Sequence, residues 1–284
     1  MDRKHHGWPN GERIAVLVSV LLESWSPGKG PGYFPRSSAL KPGSTDHGAI
    51  QWGGFGGNEG IFRLLGLLDR HAIPATVLCS ARSADLYPAA LAAIAQSGQD
   101  VGAHGPAQDV ILASLEPEAQ RAAIRHSVAA IGQACGRRPE GWVSAAYGWD
   151  QHTADFLVQE GLRWHADALD TSLPRIQETP SGRIIAFPWS EFVDNRVLRG
   201  APRDFLDSYQ DGFDYLYESE PMSLLHIGLH SHTGGRPLIA AQIDRLLRHL
   251  KQFPEVWFVR HGELARTVAE GAVALPAPAL RFAP

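Results

Sequence analysis

The run RIAVLVSVLL, residues 13–22, decides the fold. It is short, apolar but for Arg13 and Ser19, and rich in β-branched residues, which reads as a buried strand. Outward from it the same pattern repeats. PATVLCS (74–80), DVGAH (100–104), EGWVSA (140–145), RWHAD (163–167), GRIIAFPW (182–189), MSLLHIGLH (222–230) and EVWFV (255–259) read as further strands. Helical spacing fills the intervals at 60–71, 88–98, 114–136, 150–161, 203–219, 237–253 and 262–271, with Gly98 and Gly161 as closing residues and Ser114 as an N-cap. Alternation over the whole length means parallel strands joined by helical crossovers. No G-x-G-x-x-G opens the first helix, so a closed or nearly closed β/α barrel is favoured over a doubly wound open sheet. No composition break divides residues 1–284, and a single domain is expected. A long Gly-, Pro- and aromatic-rich loop, 26–58, and a Pro-rich tail, 272–284, stand outside the pattern.

Composition narrows the function. The 284 residues are 44% apolar and 20% charged, with a net charge of −4, and no basic block provides a footprint for nucleic acid. No apolar run reaches the length of a membrane span, and the N-terminus lacks a signal-peptide core. Cys79 and Cys135 have no paired spacing; Cys79, ending an apolar run, reads as a buried thiol. A cytoplasmic protein acting on a small molecule is the expectation. Loop 26–58 either closes the pocket or packs on a neighbouring subunit, which leaves a homo-oligomer open.

In a barrel of this kind the active site gathers at the C-terminal ends of the strands. The residues standing there include Glu23, Ser80, His104, Ser144, Tyr147, His165, Asp167, Asp170, Trp189, Glu191, His230, His232 and His261. Glu23, His104 and His230 come from three different strands and would meet at one mouth. A carboxylate and two imidazoles can bind a divalent metal or act as base and acid. His226, inside an apolar strand, reads as a satisfied core histidine. His5 and His6 read as solvated, His126 as a surface residue, His47 as a loop residue and His261 as a helix cap. Trp25, Trp52, Trp142, Trp149 and Trp189 cluster near strand ends and suggest an apolar pocket for a flat ring or amide.

Taken in order, these segments resemble the polysaccharide deacetylase family over about residues 8–270. RIAVLVSVLLESW stands where the family's first motif carries its aspartates. DVGAHGPAQD stands at the metal-binding His-x-x-x-His, and LLHIGLHSHTGGRP at the late Leu-His motif whose histidine is the general acid. The resemblance implies a distorted (β/α) barrel of about seven strands. Two departures matter. The first motif has Leu22-Glu23 in place of paired aspartates, and Gln108 replaces the second histidine, although an amide is a poorer zinc ligand than an imidazole. PEGW at 139–142 is closer to the branch that contains metal-independent allantoinase and cyclic imide hydrolases.

That branch implies hydrolysis of a non-peptide C–N bond in a small cyclic imide, ureide or amide. Glu23, His104 and His230 are the expected catalytic residues. Trp25 and Trp142 would sandwich the ring, with Asp170, His165 and His232 also at the substrate. A divalent metal such as zinc, held by Glu23, His104 and Gln108, and metal-independent action both stay open. A small-molecule N-deacetylase and a non-catalytic binding barrel are the alternatives.

Overall fold

The structure, a computed structural model, describes residues 7–190, 192–273 and 275. His5, His6, Glu191 and most of the tail 272–284 therefore lie outside the described residues. The first strand, β1 (Ile14–Leu22), is buried at all nine positions. Its side chains alternate between two cores. Ile14, Val16, Val18, Val20 and Leu22 pack with helix residues such as Leu64, Leu68 and Leu246. Ala15, Leu17 and Leu21 pack with Trp164, Phe187 and Trp189. The strand is apolar on both faces because helices cover one and the barrel interior takes the other.

The other strands are β2 (Thr76–Cys79), β3 (Asp100–Ala103), β4 (Gly141–Trp142), β5 (Trp164–Ala168), β6 (Arg175–Thr179), β7 (Gly182–Pro188), β8 (Ser223–His230) and β9 (Val256–Val259). Among the described residues they form one nine-stranded sheet in the order β6-β7-β5-β4-β3-β2-β1-β8, with β9 added on β1. One side of β1 pairs with β8. The other side is divided: Ile14–Leu17 pair with β9 and Ser19–Leu22 with β2. All pairs are parallel except β6 with β7. The barrel is incompletely closed, and among the described residues the parallel bridge Val193–Gly228 spans the gap between the β7 side and β8.

The helices are α1 (His47–Phe55), α2 (Ile61–His71), α3 (Ser83–Leu86), α4 (Pro88–Gln96), α5 (Pro117–Cys135), α6 (Thr153–Gln159), α7 (Pro202–Ser219), α8 (Ser231–Gly234), α9 (Pro237–Leu250) and α10 (His261–Ala269). The distorted β/α barrel is thus borne out, with three local differences. β6 is an antiparallel strand whose sequence, RIQET, is too polar and exposed to carry a core pattern. Loop 26–58 contains α1, which runs into a π-helical turn, Gly56–Gly60. The helix expected at 114 begins at Pro117 with Glu116 as its N-cap, because Ser114 ends a short 3₁₀ turn and proline is pre-set for the first helical position.

The π turn needs its glycines. A Cβ at Gly60 would stand 1.9 Å from the Ser231 carbonyl oxygen, and one at Gly56 would stand 2.5 Å from Ser231 Oγ. Their absence lets α8 lie directly on the turn. No helix among the described residues is long and apolar enough to cross a membrane. Cys79 and Cys135 are both buried and unpaired.

Candidate active site

Strand phase aims Glu23 into the barrel. It follows β1 directly and continues the series Ala15, Leu17, Ser19, Leu21, so it points to the interior side. His104 follows β3 in the same way, and His230 ends β8. Lateral pairing sets the three at one level: Leu21 is opposite His230, Leu22 opposite Cys79, and Cys79 opposite Ala103. Glu23 Oε1 lies 3.3 Å from His104 Nε2 and 3.7 Å from His230 Nε2. The three expected catalytic side chains therefore converge, all buried.

Each imidazole is oriented by its other nitrogen. His104 Nδ1–H donates to the Val143 carbonyl at 2.7 Å. With Nδ1 so placed, Nε2 faces Glu23, and a proton on Nε2 donates to the carboxylate. His230 Nδ1–H donates to Asp194 Oδ1 at 2.6 Å, while Asp194 Oδ2 accepts the His230 backbone N–H at 2.8 Å. Asp194 is completely buried. It stands in a 3₁₀ turn, Asp194–Arg199, directly after the Val193–Gly228 bridge. Sequence reasoning did not single out Asp194. No strand-end signal marks Asp194, because only the closing bridge brings it to β8.

The charges then order themselves. Burial alone would raise the Glu23 pKa, but His230, the His104 hydrogen bond and His232 pull it down to about 2. Burial alone would depress His230, yet the charges of Glu23 and Asp194 and the Asp194 hydrogen bond lift it to about 9. At neutral pH the centre holds a carboxylate beside an imidazolium.

His232 also reaches this centre, from α8 rather than from a continued strand. Its Nδ1 lies 3.8 Å from Glu23 Oε2, and its Nε2 lies 2.7 Å from the Tyr33 hydroxyl. Burial holds it neutral, with a pKa of about 3. Tyr33, from loop 26–58, is a further residue of the site, 3.4 Å from Glu23 Oε2. The loop thus closes over the cleft within one chain.

These side chains line a cleft of about 700 Å³, within the range of small-molecule sites. Trp25, Tyr33, Tyr147 and Trp189 supply its aromatic walls. Ala146 and Tyr147 both have positive φ, 50° and 56°, so the rim holds a strained turn costing about 1–3 kcal/mol per residue.

Three expected substrate residues stand elsewhere. Trp142 is completely buried in a core with Leu112, Ile124 and Leu157, and its Nε1–H donates to Ser144 Oγ. One residue out of phase, Val143 takes its place in the cleft, so no Trp25–Trp142 sandwich forms. His165 and Asp170 line a separate cleft of about 290 Å³. His165 bonds Gln177 there, and Asp170 pairs with Arg175. His226 is a satisfied core histidine, as expected: Ser19 Oγ–H donates to its Nε2 at 2.8 Å and its Nδ1–H donates to the Pro188 carbonyl at 2.9 Å. His47 and His126 are exposed. His261 is the first residue of α10 rather than its cap, stacked on Trp164.

The deacetylase family, with its metal-binding motif, keeps a divalent ion compatible with the fold. Of the shell expected here, Glu23 and His104 meet, and Gln108 stands at the same cleft. Gln108 lines the cleft, but its amide donates to Ser80 Oγ and to the His104 carbonyl. Glu23 and His104 are the two strong donors of that shell, where a zinc site takes at least three protein ligands, and Gln108 adds only a neutral amide oxygen. Among the described residues no group of three or more His, Cys, Asp or Glu is arranged to hold a metal ion.

Comparison with known proteins agrees with the fold. Residues 46–164 match the polysaccharide deacetylase family. A peptidoglycan deacetylase-like protein of Gibberella zeae is 25% identical over 303 residues, covering 89% of this chain and 86% of the relative. A crystal structure of a probable polysaccharide deacetylase from Pseudomonas aeruginosa superposes with a TM-score of 0.82 at 23% identity, over 94% of this chain and 95% of that one. PuuE allantoinase superposes with a TM-score of 0.82 at 24% identity over 94% of both chains. Over residues 46–164 the chain thus matches the polysaccharide deacetylase family, and along nearly its whole length it shares the fold of these deacetylase-like structures.

Proposed function

We propose that the protein hydrolyses a non-peptide C–N bond in a small cyclic imide, ureide or amide. The observation that carries this reading is Glu23 Oε1 poised between two imidazole nitrogens, His104 Nε2 at 3.3 Å and His230 Nε2 at 3.7 Å. Glu23 is a carboxylate at neutral pH and is the proton acceptor of the centre. A water between Glu23 and the substrate carbonyl gives its proton to the carboxylate as its oxygen bonds to carbon. His104, facing Glu23 through Nε2, holds that water in place. Collapse of the tetrahedral intermediate breaks the C–N bond, and His230 Nε2–H protonates the leaving nitrogen. The proton gained by Glu23 passes to His230 Nε2, 3.7 Å away, and restores both groups. The balance is one water added, giving an acid and a nitrogen product that stay joined when the substrate is cyclic.

The reading is supported by the likeness to PuuE allantoinase and by the departure at Gln108. A second reading, deacetylation of a small N-acetyl compound by the same groups, is supported by the family match over 46–164. A substrate panel of cyclic imides, ureides and N-acetyl sugars separates them. Turnover of the cyclic compounds, lost in His104→Ala and His230→Gln, is expected. Turnover of N-acetyl sugars alone would move the conclusion to the second reading. Elemental analysis of the purified protein runs alongside: a stoichiometric divalent ion that is lost in Glu23→Gln and His104→Ala would overturn the metal-free scheme.

A further inference from the structure

The 3₁₀ turn that supplies Asp194 has a second face. Asn195, Arg196, Leu198 and Arg199 line the same cleft as Glu23 and His230. Both arginines are exposed at the rim. The other charges of the cleft are matched. Glu23 lies among imidazoles, His230 rests on Asp194, and Asp109 pairs with Lys29 at 2.9 Å. The side chains of Arg196 and Arg199 have no hydrogen-bond or ion-pair partner among the described residues. This is a local cationic surplus in a chain whose net charge is −4, so it does not reflect a generally basic surface. Arg196 is also close enough to Tyr147 to act on its hydroxyl electrostatically, which puts a guanidinium beside an aromatic wall of the cleft.

A guanidinium presents a planar fork of donors that matches a planar carboxylate. We infer that the substrate carries a carboxylate, held at the rim by Arg196 and Arg199 while its scissile amide lies at Glu23. This deepens the hydrolytic reading and rests on it. One turn would then serve both ends of the substrate, with Asp194 setting the general acid and the two arginines setting the register of the ring. The competing account is a solvated turn whose arginines touch nothing.

The test compares matched cyclic ureides on the whole chain: dihydroorotate against dihydrouracil, and hydantoin-5-acetate against hydantoin. The carboxylates are expected to have a kcat/KM at least about tenfold higher, the scale of charge-assisted hydrogen bonds. That preference should collapse toward unity in Arg196→Gln/Arg199→Gln. It should persist in Arg203→Gln, an α7 residue paired with Asp207 outside the cleft. Calorimetric titration with glutarate gives a readout free of turnover, in which the double variant should bind at least tenfold more weakly. Hydrolysis of both members of each pair at equal kcat/KM, with no glutarate bound, overturns the carboxylate site and leaves the hydrolytic reading standing. Glutarate binding that depends on the arginines, without turnover of any amide, overturns the hydrolytic reading and leaves the anion site.

Discussion

β8 carries two histidines four residues apart and on the same face, and the protein treats them in opposite ways. His226 is sealed inside the barrel between Ser19 and Pro188, and burial lowers its pKa to about 4. His230, two repeats of the pleat nearer the mouth, is as buried, yet it is lifted to about 9. The difference is not solvent. His226 faces neutral partners, a hydroxyl and a carbonyl, whereas His230 faces two carboxylates. Burial sets the stake, and the charge of the neighbours decides which protonation state wins. An inert core histidine and a candidate general acid thus come from one strand.

The largest way to break this contrast is Glu23→Gln. We expect kcat/KM to fall about 10³-fold, near 4 kcal/mol of transition-state stabilisation. The His230 pKa should also fall from about 9 toward 6.5, read from imidazole proton shifts by NMR. An unmoved His230 titration would mean that Glu23 does not set it. Asp194→Asn comes next, at about 10²-fold in kcat. Its loss should grow with pH, because activity needs protonated His230 and its alkaline limb, near 9 in the parent, moves down. A pH-independent loss would assign Asp194 a merely structural part.

The core histidine is tested through stability. His226 is neutral when folded, so between its ordinary 6.5 and about 4 the unfolded chain binds the extra proton. Its contribution is intact above 6.5 and is lost as pH falls toward 4. Urea unfolding of the parent and His226→Gln should therefore converge by about 2 kcal/mol between pH 7 and pH 5. A constant difference would show that the ring is not held neutral. The smallest effect is expected for Trp142→Phe, which forfeits one buried hydrogen bond and costs about 1 kcal/mol of stability. The KM for any substrate should be unchanged, since the indole lies outside the cleft; a raised KM would restore it to the substrate site.

What could be read from the sequence follows strand phase. Apolar runs of alternating phase locate Glu23, His104 and His230 because each stands at the end of a strand whose interior face is fixed by the residues before it. Trp142 and His165 went astray for the same reason inverted: β4 is only two residues long and β5 has a bulge between His165 and Ala168, so neither run announces its phase. Asp194 and Tyr33 come from a closing bridge and a covering loop, where position depends on tertiary contacts that carry no periodicity. The arginine pair is invisible for a related reason, since two charges in a short turn look the same whether they face a cleft or bulk water.

The divided edge of β1 has a consequence for how the protein is made. Its partners are scattered along the chain, and Ser19 and His226 are separated by 207 residues. During synthesis at about 5–20 residues per second, β1 waits on the order of ten seconds or more for β8 and then β9 to emerge. Throughout that time it is an apolar strand with an unpaired edge, the kind of segment that recruits foreign strands. Glu23 acquires its imidazole neighbours only when that wait ends, so production of active protein should depend on translation speed and chaperone supply more steeply than the stability of the finished fold would suggest.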